Sequence, residues 1–391
     1  MKKIVIASDS FKGSVSSLEV AESAEKAIRK LFPECEVLKI PIADGGEGTT
    51  EALIHAMKGK MITCEVHDPL MKKIQTAYGI LGDNQTAVIE MASASGLSLV
   101  PKDKRNPMHT TTFGTGELIK DALMRGCRHF LIGIGGSATN DAGTGMFRAL
   151  GFRFLDKNGE ELSQGGKILP QIYSIDRSTV LPRLLEATFT IACDVNNPFS
   201  GKNGAAFVYA RQKGADDIMI SELDNGLKHV ASVIKQQMNL DIEQIPGAGA
   251  AGGLGGGCVA FLNAELKPGI EMVLDTLHFD EKIKGADLII TGEGKLDNQT
   301  GMGKAPSGIL QAARKQNIPV IAIGGSIEET KVLNRQGFLA VFSIQSGITT
   351  LQEAMKKEIA MKNIECTVTQ FLRIIQYYRG NDLTKNRRRN T

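Results

Sequence analysis

The sequence predicts an α/β protein. A doubly wound parallel-sheet domain is formed by both termini, and a second α/β domain with a mixed sheet is inserted between them. Short buried strands followed by loops and helices recur at both ends of the chain, as at 3–7 and 286–291, and this alternation favours a parallel sheet. The middle instead carries a strand–turn–strand pattern at 74–91, which is typical of an antiparallel hairpin.

The amino-terminal elements follow from local signals. Residues 3–7 (KIVIA) are a short β-branched apolar run, typical of a fully buried strand. Ser16 and Glu19 stand at the capping-box spacing, which predicts a helix that begins near Ser16. A second strand–loop–helix unit follows, with a strand at 36–42 and a helix at about 49–57.

The alternation of strands and helices is interrupted after the second unit by the hairpin at 74–91. Further strands, loops and helices follow, and regular βα alternation resumes from 286. The sequence predicts helices at 115–125, 141–150, 217–238, 304–316 and 351–376, and strands at 129–134, 286–291, 318–323 and 338–344.

The domain boundaries are placed where the pattern changes. We expect the doubly wound domain to comprise residues 1–72 and 284–378, and the inserted domain to comprise residues 73–283. The basic residues of 379–391 predict a disordered, solvated tail.

Composition excludes several function classes. The chain has 391 residues, typical of two domains, and a formal charge of +3. Part of that charge lies in the terminal basic run, and there is no Trp, so we expect no nucleic-acid partner. No apolar run reaches about 18 residues, so we expect no membrane partner. Six cysteines without CxxC spacing predict reduced thiols in a cytoplasmic protein.

A polar, glycine-rich loop follows the apolar strand at 129–134. Backbone N–H groups of Gly135, Gly136 and Ser137, together with the positive end of the following helix, suit phosphate oxygens. Asp141 stands at the loop-to-helix junction, where it fits either a metal ligand or a helix cap.

A second glycine-rich segment carries seven glycines between Gly247 and Gly257. GAGAAG at 247–252 matches GxGxxG, but a poor strand precedes it, which disfavours dinucleotide binding. A surface without side chains remains, which a ligand or another backbone can approach closely. Gly249, Gly252 and Gly253 are therefore candidates for phosphate contact, with tight helix packing as the alternative.

The segment 290–306 follows a buried strand, where open α/β sheets place ligands. It offers Glu293, Lys295, Asp297 and Lys304. Mixed carboxylates and lysines suit a metal–phosphate site, because Mg²⁺ takes one or two carboxylates plus phosphate oxygens. A solvated charged loop is the alternative, and the interleaved glycines argue against it.

Two further candidates lie at strand ends. Asp194 follows the strand-like TFTIA. Its carboxylate could accept a hydroxyl proton or hold Mg²⁺. The alternative is that it forms a turn before Pro198. Lys12 lies in the loop after the first strand, where it fits a partner for a substrate carboxylate or phosphate. Taken alone, it is more often a surface lysine.

Together, these segments resemble the type I glycerate kinase family, and the resemblance covers residues 2–375. The matching segments are, in order, DSFKGS at 9–14, ADGGEGT at 43–49, RNP at 105–107, GTGELI at 114–119, GIGGSATND at 133–141, CDVNNP at 193–198, QKGA at 212–215, PGAGAAGGLG at 246–255, and TGEGKLDNQT at 291–300 with GK at 303–304.

The resemblance implies phosphorylation of D-glycerate with ATP and Mg²⁺, and a flavodoxin-like terminal domain. It implies a cleft lined by Asp9, Ser10, Lys12, Asp194, Glu293, Asp297 and Lys304. We expect Asp194, Asp297 and Lys12 to act in catalysis, with Asp194 first and Asp297 second to orient or deprotonate the glycerate hydroxyl or to hold Mg²⁺. We expect substrate contacts from Asp9, Ser10, Lys12, Arg105 and Lys304, and nucleotide contacts from Gly135, Gly136, Ser137, Gly249, Gly252, Gly253 and Glu293. We expect the glycine turns and carboxylates to converge on one crevice between the domains.

Alternatives stay open at this point. An NAD-dependent hydroxyacid oxidoreductase rests on GAGAAG alone, and a non-catalytic sugar-acid sensor is a third class. The resemblance favours phosphorylation at the 2-hydroxyl over the 3-hydroxyl, and the sequence leaves monomer and homodimer undecided.

Overall fold

The structure is a computed structural model that describes residues 1–297, 300 and 303–389, with side chains as far as residue 379. The chain divides into two compact units. Unit 1 comprises Met1–Asp44 and Val273–Thr391, and unit 2 comprises Gly45–Met272.

The strands and helices are numbered separately in chain order. The strands are β1 (Lys3–Ile6), β2 (Glu36–Lys39), β3 (Lys60–His67), β4 (Lys73–Ile80), β5 (Thr86–Glu90), β6 (His129–Gly133), β7 (Arg153–Leu155), β8 (Ser174–Asp176), β9 (Thr188–Ala192), β10 (Glu265–Lys267), β11 (Leu288–Leu296), β12 (Val320–Ile327) and β13 (Ala340–Ser343). The α-helices are α1 (Ser17–Leu31), α2 (Thr49–Ala56), α3 (Ala92–Ser95), α4 (Phe113–Met124), α5 (Thr144–Ala149), α6 (Ala205–Tyr209), α7 (Asp217–Met238), α8 (Ala250–Leu262), α9 (Gly269–Thr276), α10 (Phe279–Lys282), α11 (Ala305–Lys315), α12 (Thr330–Gln336), α13 (Leu351–Ala354) and α14 (Lys357–Arg389).

Unit 1 is built on a parallel sheet with the order β13-β12-β11-β1-β2. In the unit's own numbering, read from the β2 edge, this is 2-1-3-4-5, the flavodoxin-like order. Ile4 pairs with Leu288, so the first strand is completed by a strand from the far end of the chain. The predicted terminal α/β domain is thereby confirmed.

The core of unit 1 lies between this sheet and two helices. Side chains of β1 and β11, such as Ile6 and Ile290, pack in one cluster with Ile28 of α1 and Ile364 of α14. The predicted capping box of α1 is present, because Ser16 Oγ accepts a hydrogen bond from the Glu19 backbone N–H and the Glu19 carboxylate accepts one from the Ser16 N–H.

Unit 2 contains a mixed sheet with the order β10-β9-β6-β5-β4-β3. The β10, β9, β6 and β5 strands are parallel, whereas β4 pairs antiparallel with both β5 and β3. Its core includes a stacked aromatic pair, Phe130 and Phe189, whose ring centroids lie 4.8 Å apart. The predicted hairpin and the mixed-sheet inserted domain are confirmed.

The observed boundaries differ from those that the sequence predicts. Residues 45–72 belong to unit 2 and not to the doubly wound unit, because β3 pairs along its whole length with β4. Residues 273–283 belong to unit 1. The divisions therefore fall at 44/45 and 272/273, where the sequence predicts 72/73 and 283/284.

The end of the chain lies partly outside the described residues. The backbone of α14 is helical to Arg389, and nothing is described for the side chains after residue 379. The disordered tail expected from residue 379 stays a prediction. Among the described residues, no helix combines the length and hydropathy that crossing a membrane requires.

Candidate active site

Unit 1 carries a cleft of about 410 Å³ at the carboxyl-terminal side of its sheet. It lies where β1 neighbours both β11 and β2, the point at which the strand order reverses and at which open α/β sheets bind ligands. The cleft is lined by Asp9, Ser10, Phe11, Lys12, Ser14, Asp44, Glu293, Gly294, Lys295, Lys304, Gly325, Ser326, Ile344, Gln345, Leu351, Ala354, Met355 and Ala360.

The loop after β1 presents a buried carboxyl group to this cleft. The backbone N–H of Asp9 donates to the Gly292 carbonyl at 2.9 Å, which holds the loop beside β11. Burial raises the pKa of Asp9 to about 7, and repulsion from Asp44 and Glu293 adds to the rise. The Ser10 N–H, which donates to Asp9 Oδ1 at 2.6 Å, opposes it.

Lys12 lies beside these carboxylates. Its Nζ is 3.6 Å from Asp44 Oδ2, and its side chain remains largely exposed. Burial lowers the pKa of Lys12, but attraction to Asp44 and Asp9 outweighs that effect, so the pKa lies above its usual value. Lys12 is therefore a charged ammonium at neutral pH, aimed at the acidic side of the cleft.

A second charged group lies on the β11 side. Lys304, the residue before α11, has its Nζ 3.9 Å from Glu293 Oε2 and 3.8 Å from Asp297 Oδ1. Glu293 is buried within β11 and accepts a hydrogen bond from Thr300 Oγ1 at 2.6 Å. Burial raises its pKa, while Thr300 and the Lys304 ammonium lower it.

In unit 2, a buried lysine donates hydrogen bonds to the glycine-rich loop after β6. Gly135 and Gly136 are exposed, whereas Ser137 is buried. The buried Lys213 donates from Nζ to Ser137 Oγ at 2.9 Å and to the Thr139 carbonyl at 2.6 Å. The loop thus combines two exposed glycines with a buried, hydrogen-bonded Ser137, and anion binding by its backbone N–H groups stays a prediction.

Asp141 is surrounded by hydrogen-bond donors of the protein. It is fully buried and accepts hydrogen bonds from the backbone N–H and hydroxyl of Thr112, both at 2.9 Å. The N–H groups of Gly143 and Gly145 also donate to it. Burial raises its pKa, and these donors oppose the rise. Of its two predicted roles, this donor set favours the helix-start acceptor over a metal ligand.

Asp194 and Arg105 also belong to unit 2. Asp194 is exposed just beyond β9, and its Oδ1 accepts a hydrogen bond at 2.8 Å from the N–H of Gly269, the first residue of α9. Arg105 donates from Nε to the Val100 carbonyl at 3.4 Å. A backbone N–H at the start of α9 therefore orients the Asp194 carboxylate.

Comparison with known proteins adds a decisive observation. The profile of the glycerate kinase family matches residues 4–376, nearly the whole chain. The chain belongs to the glycerate kinase family. A glycerate kinase from Bacillus cereus is 51% identical over 366 residues, which are 93% of this chain and 96% of the relative.

Two further members of the glycerate kinase family are similar over most of their length. The glycerate 2-kinase of Escherichia coli is 50% identical over 355 residues, covering 90% of this chain and 93% of that protein. The crystal structure of a Salmonella typhimurium LT2 protein, assigned as a glycerate kinase 2, superposes with a TM-score of 0.90 at 45% identity, covering 97% of this chain and 99% of that one. The resemblance inferred from the motifs is confirmed, and the chain is a phosphotransferase with an alcohol group as acceptor.

The structure brings together part of the site expected for a glycerate kinase. Five predicted residues line the cleft of unit 1, and Asp297 joins them through Lys304. These five are Asp9, Ser10, Lys12, Glu293 and Lys304. Asp194, Arg105 and the glycine loops belong to unit 2, and their convergence with the cleft stays a prediction.

The three candidate glycines of the second glycine-rich segment, Gly249, Gly252 and Gly253, are buried against protein. A Cβ added to Gly249 would lie 2.2 Å from the Pro198 carbonyl oxygen, and one added to Gly253 would meet Leu227 at 2.8 Å. The segment follows α7 and a loop, not a strand, so it lacks the context of a dinucleotide fingerprint. Close packing alone accounts for glycine here, and phosphate contact by these residues stays a prediction.

We expect Gly252→Ala to destabilise unit 2 by about 3 kcal/mol or more. Gly252 has a φ of +72°, and an added Cβ would lie 2.2 Å from the Thr139 carbonyl oxygen and 2.5 Å from Asn140 Cα, backbone atoms that have little freedom to shift. Urea unfolding measures the loss. Gly201→Ala is the control, because Gly201 has a φ of +89° but open space around its Cβ position, so it should cost only about 1 kcal/mol. Equal losses in the two variants would contradict this prediction.

Sequence reasoning missed Lys213 as a functional candidate. Burial lowers its pKa to about 7, and Asp141 opposes that shift. The available signal was QKGA at 212–215, which the family resemblance includes. Its partners Ser137 and Thr139 are more than seventy residues away in sequence, so only the folded chain reveals the contact.

We expect Asp9→Asn to stabilise the protein at pH 8 and to change its stability little at pH 4. The folded-state pKa of Asp9 is about 7, against 3.8 as the ordinary value. The stability that Asp9 contributes in its protonated form is therefore lost as pH rises from about 4 to 7. At about 1.4 kcal/mol per pKa unit, the neutral Asn gains a few kcal/mol at pH 8. Thermal unfolding at both pH values checks this, and a gain that does not depend on pH would contradict it.

Proposed function

We propose that this protein transfers the γ-phosphoryl group of ATP to the 2-hydroxyl of D-glycerate. The observation that carries the proposal is the cleft at the switch point of unit 1, which is lined by three lysines and three carboxyl groups. Membership of the glycerate kinase family supplies the reaction class. A relative that is 50% identical is named as a glycerate 2-kinase, which supports the 2-position.

Phosphoryl transfer depends mainly on positioning and on neutralising charge. We assign that neutralisation to Lys12 and Lys304, since both side chains line the cleft beside carboxylates. A ligand phosphate or carboxylate would replace part of this internal pairing. The exposed N–H groups of Gly135 and Gly136 are proposed to contact the phosphate chain of the nucleotide.

A carboxylate must orient the glycerate hydroxyl or accept its proton. We propose Asp194 first and Asp297 second for this role, as the sequence predicts. Asp9 is a further candidate, because a pKa of about 7 suits a group that accepts a proton near neutral pH. Asp9 also contacts the cleft directly.

The residues of the cleft are compatible with Mg²⁺. Glu293 and Asp297 both lie within 4 Å of Lys304 Nζ, so two carboxylates occupy one corner. Within the part of the chain that the structure describes, no group of three or more acidic, His or Cys side chains is placed to hold a metal. Mg²⁺ in kinases commonly takes one or two carboxylates and completes its shell with phosphate oxygens and water. We propose Asp297 and Asp194 as its protein ligands, and the ion would supply charge neutralisation on the phosphates.

We propose that the partner of this protein is a small-molecule substrate, D-glycerate, and that it binds neither nucleic acid nor a membrane. We propose that it is either a monomer or a homodimer, and light scattering would decide between the two. The cytoplasmic location expected from the cysteine pattern is retained, and the six cysteines are free thiols.

Phosphorus NMR of the reaction products tests the function. The protein is incubated with ATP, Mg²⁺ and D-glycerate, with L-glycerate as the matched control. We expect the phosphate signal of 2-phosphoglycerate from the D isomer. Signal from 3-phosphoglycerate would overturn the regiochemistry. Hydride transfer with NADH and hydroxypyruvate in the absence of ATP turnover would favour the oxidoreductase alternative.

A further inference from the structure

The cleft of unit 1 is lined by two chemically different sets of residues. One set carries the charged groups described above, including Lys12 and Lys304. The other set is apolar and comes from separate parts of the chain: the loop after β1, the residue after β13, and α13 with the residue after it. This apolar wall consists of Phe11, Ile344, Leu351, Ala354 and Met355.

The apolar wall contains both buried and exposed side chains. Phe11 and Ile344 are buried, whereas Leu351 is 76% exposed and Met355 is 37% exposed. The start of α13 is capped, because the Thr350 hydroxyl accepts a hydrogen bond from the Glu353 N–H. Large apolar side chains exposed at the rim of a concave site are typical of a ligand-binding groove.

Glycerate does not account for this wall. Each of its three carbons bears oxygen, so it has no apolar face to bury. A cleft of about 410 Å³ also lies within the usual range for sites that hold larger ligands. Of the two reactants in the proposed reaction, only ATP carries a flat, largely apolar group, which is its purine ring.

We propose that the apolar wall formed by Phe11, Ile344, Leu351, Ala354 and Met355 is the subsite for the purine base of ATP. This inference rests on the proposed function, and it assigns the nucleoside end to unit 1. The phosphates of an ATP whose base is seated there could reach Lys12 and Lys304, which line the same cleft.

The local geometry suits a planar ring. Gly13 has a φ of +76°, and an added Cβ would lie 2.9 Å from Met355 Cε, so glycine leaves room for the thioether tip. Methionine sulfur makes favourable contacts with aromatic rings and adapts its shape to them. Leu351 covers ring surface without depending on a specific edge group, so the subsite should discriminate weakly between purines.

The test is a Leu351→Ser variant, in which a leucine that is mostly exposed in the free protein is replaced without disturbing the core. Losing the burial of such a side chain against the base should weaken ATP binding about tenfold. Titration calorimetry with ATP alone measures the affinity, and steady-state kinetics measures both KM values. We expect the KM for ATP to rise with it, and the KM for glycerate to stay within about twofold.

Leu339→Ser is the matched control, since Leu339 is 61% exposed in unit 1 and does not line the cleft. It should bind ATP like the parent. Met355→Ala is a second variant with the same expected direction as Leu351→Ser. Unchanged ATP affinity in both cleft variants, or a rise confined to the KM for glycerate, would overturn the subsite. Calorimetry without glycerate separates this result from a failure of the proposed function, because it needs no turnover.

Discussion

An Asp194→Asn variant is expected to lose about 10²–10⁴-fold in kcat while remaining folded. The carboxylate is proposed to orient or deprotonate the glycerate hydroxyl or to hold Mg²⁺, and an amide serves none of these purposes well. The amide oxygen can still accept the hydrogen bond that Gly269 N–H donates at 2.8 Å, so local structure should persist. Steady-state rates at saturating ATP and glycerate, together with thermal unfolding, measure both properties.

Asp241→Asn is the control for this experiment. Asp241 lies in the same unit and pairs with Lys235 at 2.7 Å, with half of its side chain exposed. Its replacement should leave kcat unchanged. A folded Asp194→Asn enzyme with the kcat of the parent would remove Asp194 from the chemistry and leave Asp297 and Asp9 as the carboxylate candidates.

A Lys304→Met variant is expected to lose about 10²–10³-fold in kcat/KM for ATP, because it removes one of the two cations that are proposed to neutralise the phosphates. It should also alter the pH dependence. The Lys304 ammonium lowers the pKa of Glu293, which burial otherwise raises. Without that ammonium the pKa rises further, so the acidic limb of the pH–rate profile should move to higher pH.

Two variants make the Lys304 result specific. Lys304→Arg keeps the positive charge and should recover part of the lost activity. Lys315→Met removes the last residue of α11, the helix that Lys304 precedes. Lys315 Nζ pairs with Asp280 at 3.1 Å and Lys315 does not line the cleft, so the variant should behave like the parent. If Lys315→Met lost as much activity as Lys304→Met, a general effect on the helix would explain the result better than phosphate binding.

Much of the fold could be predicted because its signals are local. The helix over 217–238 was placed at the residues where α7 is observed, and the capping box located the start of α1. The predicted first domain boundary, 72/73, differs from the division between the two units at 44/45. A strand such as β3 has the same local appearance in either sheet, and only its pairing with β4 decides which unit it joins.

The candidate site was predicted less completely for the same reason. The sequence predicts a strand that ends at residue 291, whereas β11 continues to Leu296, because Glu293 and Lys295 pair with Gly324 and Ser326 of β12. Glycine has a low strand propensity, so the pairing with β12 and not the local sequence extends this strand. The apolar wall beside it was not predicted at all, since its residues come from segments that are far apart in sequence.

The position of β1 has a consequence for biosynthesis. This strand lies inside its sheet, and its neighbour β11 begins only at Leu288. During synthesis, Ile4 therefore stays unpaired on this side until the ribosome has made β11. At usual elongation rates the delay is on the order of tens of seconds. Unit 2, whose strands all come from residues 45–272, has every strand of its sheet available first. A nascent chain truncated before residue 288 should therefore carry an unprotected, protease-sensitive amino-terminal segment attached to a folded unit 2.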